Sequence, residues 1–467
     1  MDDAKQTEME GRGEADAVGA SPAGPAGGSS TPTSPGDADM ASPVDAAMPD
    51  ATAAAGSGGT ELVEAPPAVD PTVTNLHTYH DMCQFEALVS RKFQKIKVLA
   101  SAIHGKVLRM RRIEEGDVVV VKKMANVRVD TSKRGESNDR TAHYRQSPHD
   151  CMEDALNEIG IFQHLSRQRQ RCNFLLRLLA VLRDDNETWL VTESCEMELF
   201  DVAAAGGPCP EQHVRRWIWQ LLQAVRFLQI HNIGHRDISL ENCLLDNARD
   251  RNLRLMDFGQ GVSLWIENGG VRTPLRYFRP AGKNYYRPPE AYVPSRGLLL
   301  QAICPTGYVP GSIVQVATQN GFLIEVVFPA DAVPGQQCAV TPMGYTVAPM
   351  DMFAVGVSLF VLHTQNPPWR QAMKSDEIFR FIMQNGVEVL FGAWRKPLLS
   401  PPAMQLLNEL LRVDPATRAT IEQALANAWF TDLNAEAEAA ADGGGSGGMN
   451  STDGGTGDGA SGSRAEE

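Results

Sequence analysis

From Met1 to Val73 the chain contains no phenylalanine, tryptophan or tyrosine and is mostly Ala, Gly, Pro, Ser, Thr and Asp. Such a stretch buries too little apolar surface to offset chain entropy, so residues 1–75 are expected to form a disordered tail. The run Gly443-Gly444-Gly445-Ser446-Gly447-Gly448 has the composition of a flexible linker, and a second disordered tail is expected over 434–467. Basic charge is also scarce. A formal net charge of −14 over 467 residues argues against nucleic-acid binding, which rewards a basic face. Arg167, Arg169 and Arg171, spaced by glutamines, read as a solvated loop. No basic N-terminal segment leads into an apolar one, and no window is expected to reach the roughly 18 apolar residues of a membrane span. The protein is therefore expected to be intracellular, cytoplasmic or nuclear, without membrane insertion. Eight cysteines show no C-x-x-C pairing or disulfide-rich spacing, which predicts free thiols.

What the chain does have lies between the tails. Short β-like runs come first: Lys95 to Ala102, Lys106 to Ile113 and Val118 to Lys123. A polar stretch, Asn126 to Ser147, interrupts them before Asp150 to Leu165, where Met152, Leu156, Ile159 and Phe162 recur at helical spacing. Strands are predicted at Leu175 to Leu182 and Thr188 to Thr192. A long helix follows over Glu211 to Ile230, with Val214, Trp217, Ile218, Leu221, Leu222, Val225 and Leu228 on one face. Strands first and helices later predict an α+β, two-lobed domain. Pro294 to Thr346 departs from that order. Val309-Pro310-Gly311-Ser312 is echoed 24 residues on by Val333-Pro334-Gly335-Gln336, predicting small β-hairpins in an inserted module.

The motif His235-Arg236-Asp237-Ile238-Ser239-Leu240-Glu241-Asn242 is followed by Met256-Asp257-Phe258-Gly259. Their order and spacing resemble the catalytic loop and metal-binding motif of the eukaryotic protein kinase family, of serine/threonine type. The resemblance covers residues 85–430 apart from the Asn126 to Ser147 stretch and the insert at 294–346. It implies a kinase fold with a small β-rich N-lobe and a mainly helical C-lobe, ATP and Mg²⁺ as cofactors, and protein substrates. It also implies Asp237 as the base that orients the attacking hydroxyl, with Asn242 and Asp257 as metal ligands. Val119-Val120-Val121-Lys122 looks like the family's third strand, whose lysine contacts the α- and β-phosphates. Lys123 competes for that role. Adjacent strand residues face opposite ways, and the fifteen-residue spacing from Val107 favours Lys122, with Glu158 as its ion-pair partner; Glu153, on the same helix, is the weaker alternative and reads rather as a solvated residue. Leu190-Val191-Thr192-Glu193-Ser194-Cys195 resembles the hinge that holds adenine through its backbone. Thr192 would then be a small gatekeeper. Glu198 would reach the ribose, or else simply favour a helix N-terminus.

Two departures from the family pattern stand out. Where the family has G-x-G-x-x-G-x-V, this chain has Ala100-Ser101-Ala102-Ile103-His104-Gly105-Lys106-Val107, so only Gly105 remains to give the backbone freedom to approach phosphate, and weakened ATP affinity is expected. His104 reads as a solvent-facing turn residue, with a phosphate contact as the alternative. The second departure surrounds the transferred phosphate. The family's lysine two residues after the base is Ser239 here, and its threonine before the Pro-Glu motif is Lys283, a pattern that reads as a reciprocal swap conserving charge across the cleft, the alternative being that Lys283 points to solvent and the γ-phosphate lacks this contact. Arg236 would bind a phosphate on the activation loop, yet the position usually phosphorylated is Arg279. Thr273 and Tyr277 are alternatives, as is a constitutively ordered loop. The resemblance thus implies an active kinase, with a pseudokinase scaffold as the competing function and the insert as a partner-binding module in either case.

Overall fold

The structure, a computed structural model, describes residues 84–85, 88–133, 153–205, 207, 209–246, 251–293, 299–317 and 323–443. The expected N-terminal tail, most of the C-terminal tail, Cys83 and Cys151 lie outside them. The described chain divides into two compact units, one running to Leu264 and taking in Ala281–Pro288 and everything from Val347, the other holding Trp265–Pro280 and Pro289–Thr346. The insert predicted at 294–346 therefore forms a unit with the segment Trp265–Pro280, an association with no local signal in either stretch.

In the first unit, β1 (Gln84–Phe85), β2 (Phe93–Ala102), β3 (Gly105–Arg112), β4 (Val118–Ala125), β5 (Leu178–Arg183) and β6 (Glu187–Glu193) form one sheet in the order β1-β5-β6-β4-β3-β2. The β-branched run Val118–Val121 suits β4 to its central place. Strand alternation sends Val119 and Val121 into a buried cluster with Phe93, Leu108, Met110, Leu182, Trp189 and Val191, and turns the intervening residues to the other face. The polar stretch after β4 starts as a short helix, Asn126–Lys133, rather than a break. The helix expected from Asp150 runs from Ala155 to Ser166. Asp154 caps it, Oδ1 accepting from the N–H groups of Leu156 (2.9 Å) and Asn157 (3.2 Å).

The remainder of this unit is mainly helical. The predicted helix Glu211–Ile230 forms over that span, and all seven residues of its apolar stripe are buried. From its far side Gln220 Oε1 accepts from Leu253 N at 2.9 Å, fixing the strand Leu253–Leu255 that leads into Asp257. Val347–Thr364 is, among the described residues, the one helix long and apolar enough to cross a membrane, contrary to the expectation that no window would qualify; 83% of it is buried inside the protein. It packs as a core helix, with Gly356 allowing close approach of Leu410 and Leu411. The first ten residues of the tail expected over 434–467 are helical. A helix spans Thr431–Gly443, because this Ala- and Glu-rich stretch has high helix propensity and Asn434 anchors it, accepting from Trp219 Nε1 (2.8 Å) and donating to Leu425 O (2.8 Å).

In the second unit, the strands Leu300–Ile303, Val314–Ala317, Leu323–Val327 and Gln337–Pro342 make one antiparallel sheet in which the last lies between the first and third. Separate hairpins were expected. The two Pro-Gly echoes instead form equivalent turns before the second and fourth strands, with Gly311 at φ 83° and Gly335 at φ 85° and matching bonds from Ser312 N to Val309 O and Gln336 N to Val333 O, both 2.9 Å. The six described cysteines are free.

Candidate active site

The two adjacent lysines of β4 separate as alternation requires. Lys122 Nζ donates to Glu158 Oε2 at 2.7 Å, whereas Lys123 pairs with Glu187 at 2.5 Å and sits 4.2 Å from the Trp189 ring centroid on the opposite face. Burial alone would push the Lys122 ammonium down; the charges of Glu158, Asp257 and Glu153 outweigh it and raise its pKa above the ordinary range. Glu153 is not on the helix at all. It precedes the Asp154 cap, and burial, together with the Asp257 charge, pushes its carboxyl up to about 8, so it is no solvated residue.

The catalytic-loop motif is held from below. Asp351, on the helix Val347–Thr364, accepts from His235 N and Arg236 N, each at 2.8 Å, and Arg236 sits at φ 68°. Burial lowers the His235 pKa, and its ring bridges two segments: Nδ1 accepts from Asp237 N (3.2 Å) and Nε2 donates to Met256 O (3.0 Å), tying the loop to the residue before Asp257. Asn242 Nδ2 donates to Asp237 O (2.7 Å) and Asp237 Oδ2 (3.0 Å). Asp237 Oδ1 is buried without a hydrogen-bond partner among the described residues. Burial raises this carboxyl to about 6, with Lys283 and the Asn242 bond working in the other direction. Asp257 has φ 67°, and Gly259 N donates to its Oδ1 at 3.2 Å. Burial opposes its charge, but Lys122, the Gly259 N–H, His235 and Lys283 hold it below the usual carboxylate range.

Lys283 and Ser239 are in direct contact, Lys283 Nζ donating to Ser239 Oγ at 2.6 Å, and Glu241 lies 3.7 Å from the same ammonium. Gly282, at φ 78°, makes this approach possible. A Cβ there would stand 2.9 Å from Arg236 O. Asn242 and Asp257 offer hard oxygen donors, and among the described residues no group of three or more His, Cys, Asp or Glu forms a metal cage by itself. That donor set suits Mg²⁺, which takes one or two protein oxygens and completes its shell with water and substrate phosphates.

The nucleotide loop differs from its sequence expectation. Ala100 to Ala102 belong to β2, and the loop shrinks to the turn Ile103-His104. His104 does not face solvent freely: its Nε2 donates to Glu153 O at 3.0 Å, and Arg128 donates to Ile103 O. Gly105 has no positive φ; a Cβ on it would lie 1.7 Å from Lys123 O, so glycine is required there by contact with β4. Val107 stands opposite Lys122 in the β3–β4 register. At the hinge, Thr192 is buried, and the Glu193 side chain turns away to accept from Arg177 N (2.9 Å) and to approach Arg254 (3.4 Å). The Cys195 carbonyl accepts from Arg109 Nη2 at 2.9 Å, a contact with no signal in the sequence, while burial and Glu193 push the Cys195 thiol up to about 12. Glu198 occupies the N-cap of the helix Leu199–Ala204 without a side-chain capping bond.

The general description of the protein kinase domain matches residues 93–297 and 340–430. This chain belongs to the eukaryotic protein kinase family. The gap in that match falls on the insert. The kinase is 27% identical over 284 residues to calcium-dependent protein kinase 12 of Oryza sativa subsp. japonica, covering 60% of this chain and 41% of that one. It is 25% identical over 284 residues to calcium-dependent protein kinase 29 of Arabidopsis thaliana, with the same coverage. Against serine/threonine-protein kinase DCLK3 of Mus musculus it is 27% identical over 278 residues, 59% of this chain and 27% of that one. The kinase thus spans less than half the length of these relatives.

Proposed function

We propose that this kinase is catalytically active and transfers the γ-phosphate of ATP to serine or threonine hydroxyls of protein substrates. The observation that carries this reading is the Asp237 carboxylate, one oxygen held by Asn242 and the other buried and unpartnered among the described residues, as a base awaiting a hydroxyl would be. Lys122, kept charged by Glu158, is suited to the α- and β-phosphates, and Asn242 and Asp257 to a divalent cation such as Mg²⁺. When bound, that ion neutralises phosphate charge. The backbone at Glu193 and Cys195 would hold adenine, Glu198 the ribose, and Gly105 and Val107 the underside of the nucleotide. Full chain incubated with Mg²⁺ and labelled ATP on peptide arrays should label serine- or threonine-containing peptides, and Lys122→Met should abolish the signal. Labelling of tyrosine peptides alone would overturn the specificity. No labelling would favour a pseudokinase scaffold, a reading supported by the short nucleotide turn held by His104 and Arg128.

The Lys283–Ser239 contact supports the reciprocal swap. Lys283 delivers its ammonium to the γ-phosphate, and Ser239 Oγ, accepting from it, fixes its direction. A single charged donor aimed at transferring phosphate is worth about 10²–10³ in turnover, so Lys283→Ala should lower kcat by about 10²-fold, with Ser239→Ala costing less. The pair Ser239→Lys with Lys283→Thr should recover activity beyond the product of the single changes. Full turnover in both alanine variants would end the swap.

A further inference from the structure

The segment between the Asp-Phe-Gly motif and the Pro-Glu motif is where protein kinases carry the phosphate that orders the activation loop through arginine contacts. In this kinase Trp265–Pro280 is instead folded against the insert. Trp265–Asn268 and Val271–Pro274 pair as a hairpin around Gly269 and Gly270, both at positive φ, with Arg272 beside Glu267 (3.3 Å) and over the Trp265 ring (5.0 Å). Beyond the hairpin the contacts pass to the insert. Arg276 Nη1 donates to Glu325 Oε2 at 2.6 Å and to Gly344 O at 2.9 Å, with the two paired side chains only 12% and 11% exposed. Tyr277 and Tyr345 exchange two backbone hydrogen bonds, each 2.9 Å, and Tyr345 Oη donates to Arg279 O at 2.7 Å. Gly344, at φ 73°, allows the close pass: a Cβ on it would stand 2.8 Å from Tyr277 O.

These contacts leave little for a phosphate to do. The residue at the usual phosphorylation position, Arg279, has its carbonyl bound by Tyr345, and Tyr277 is 1% exposed. Glu325 meanwhile supplies a fixed negative charge to an arginine of the segment, the role a phosphate plays elsewhere with the signs reversed. It is itself built into the insert sheet, opposite Gln315 and with its carbonyl accepting from Met343 N at 3.0 Å.

We propose that the insert replaces activation-loop phosphorylation: Glu325, Gly344 and Tyr345 hold residues 276–279 in a single conformation, and so position the chain that runs on to Lys283, with no phosphate present. The inference rests on the reading of this chain as an active kinase for its effect on turnover, but not for the ordering itself. The insert's first role is thus internal, and the residues named are positioning residues.

The test uses full chain before and after phosphatase treatment, followed by peptide phosphorylation and by amide hydrogen exchange of Tyr277 and Tyr345. Both amides should stay protected, and kcat should be unchanged by the phosphatase. Glu325→Gln should remove that protection and lower kcat by about 10-fold or more, since small misplacements near the chemistry cost up to about 10²-fold. Its ATP affinity should stay at the wild-type value, and the exchanged pair Arg276→Glu with Glu325→Arg should restore part of the loss. Loss of protection or of turnover on phosphatase treatment would overturn the proposal, as would Glu325→Gln that keeps both. A wild-type chain without transferase activity would remove the active-kinase reading alone, because the exchange measurement still decides whether the unphosphorylated segment is ordered. Should Glu325→Gln fail to fold, the phosphatase arm decides by itself.

Discussion

Asp257→Ala should lower phosphotransfer by on the order of 10³-fold, the scale expected when a preorganised charge is removed from a buried site. Its carboxylate is held charged against burial by Lys122, the Gly259 N–H, His235 and Lys283, an arrangement that would serve no purpose in a surface turn. Without it, Lys122 retains Glu158 at 2.7 Å, so the N-lobe should keep its pairing and the protein its fold. Alanine at φ 67° carries a conformational penalty of about 1 kcal/mol. Asp257→Asn, which tolerates that region better, therefore separates the chemistry from the strain. Transfer of labelled phosphate to a peptide and the thermal midpoint are measured together. Normal turnover in either variant would sink the assignment of Asp257 to the reaction.

Much of this site was legible because two periodicities and one motif spacing carried it. The alternation along Val118–Lys123 separated Lys122 from Lys123 before any contact was known, and the Glu158 partner followed from the family resemblance. The helix Glu211–Ile230 had an unbroken apolar stripe. What stayed hidden depended on contacts between segments distant in sequence. Nothing local in Trp265–Pro280 says that it folds with the insert, because the decisive bonds join Arg276 to Glu325 and Tyr277 to Tyr345. Two echoed Pro-Gly turns suggested two hairpins, while the sheet pairs its first strand with its fourth. Gly105 was read as loop freedom because the motif suggested phosphate, whereas the crowded Lys123 carbonyl decides it. Glu153 looked solvated for want of any visible neighbour, yet its surroundings include Asp257 and Lys122, more than one hundred residues and some thirty residues away in the chain.

The second large effect should come from a residue that touches no substrate. Asp351→Ala should destabilise the kinase by about 2–6 kcal/mol, because it strands two buried backbone N–H groups whose loss of a partner costs about 1–3 kcal/mol each. Those groups, on His235 and Arg236, donate to the two Asp351 oxygens at 2.8 Å, and Asp351 is only 2% exposed. Arg236 needs that support most: a non-glycine residue at φ 68° is held there by its surroundings. Once released, Arg236 can relax toward negative φ, and the motion carries Asp237 away from Asn242 Nδ2 and His235 away from Met256 O. Turnover should therefore fall by more than stability alone explains when both are measured well below the unfolding midpoint. Asp351→Asn, which keeps one acceptor but sets an amide N–H against the other donor, should fall between the alanine variant and the parent. The check is urea denaturation, reading a lower midpoint at unchanged slope, beside kcat at saturating peptide. An alanine variant with the parent's midpoint and kcat would mean that the helix Val347–Thr364 does not hold the catalytic loop.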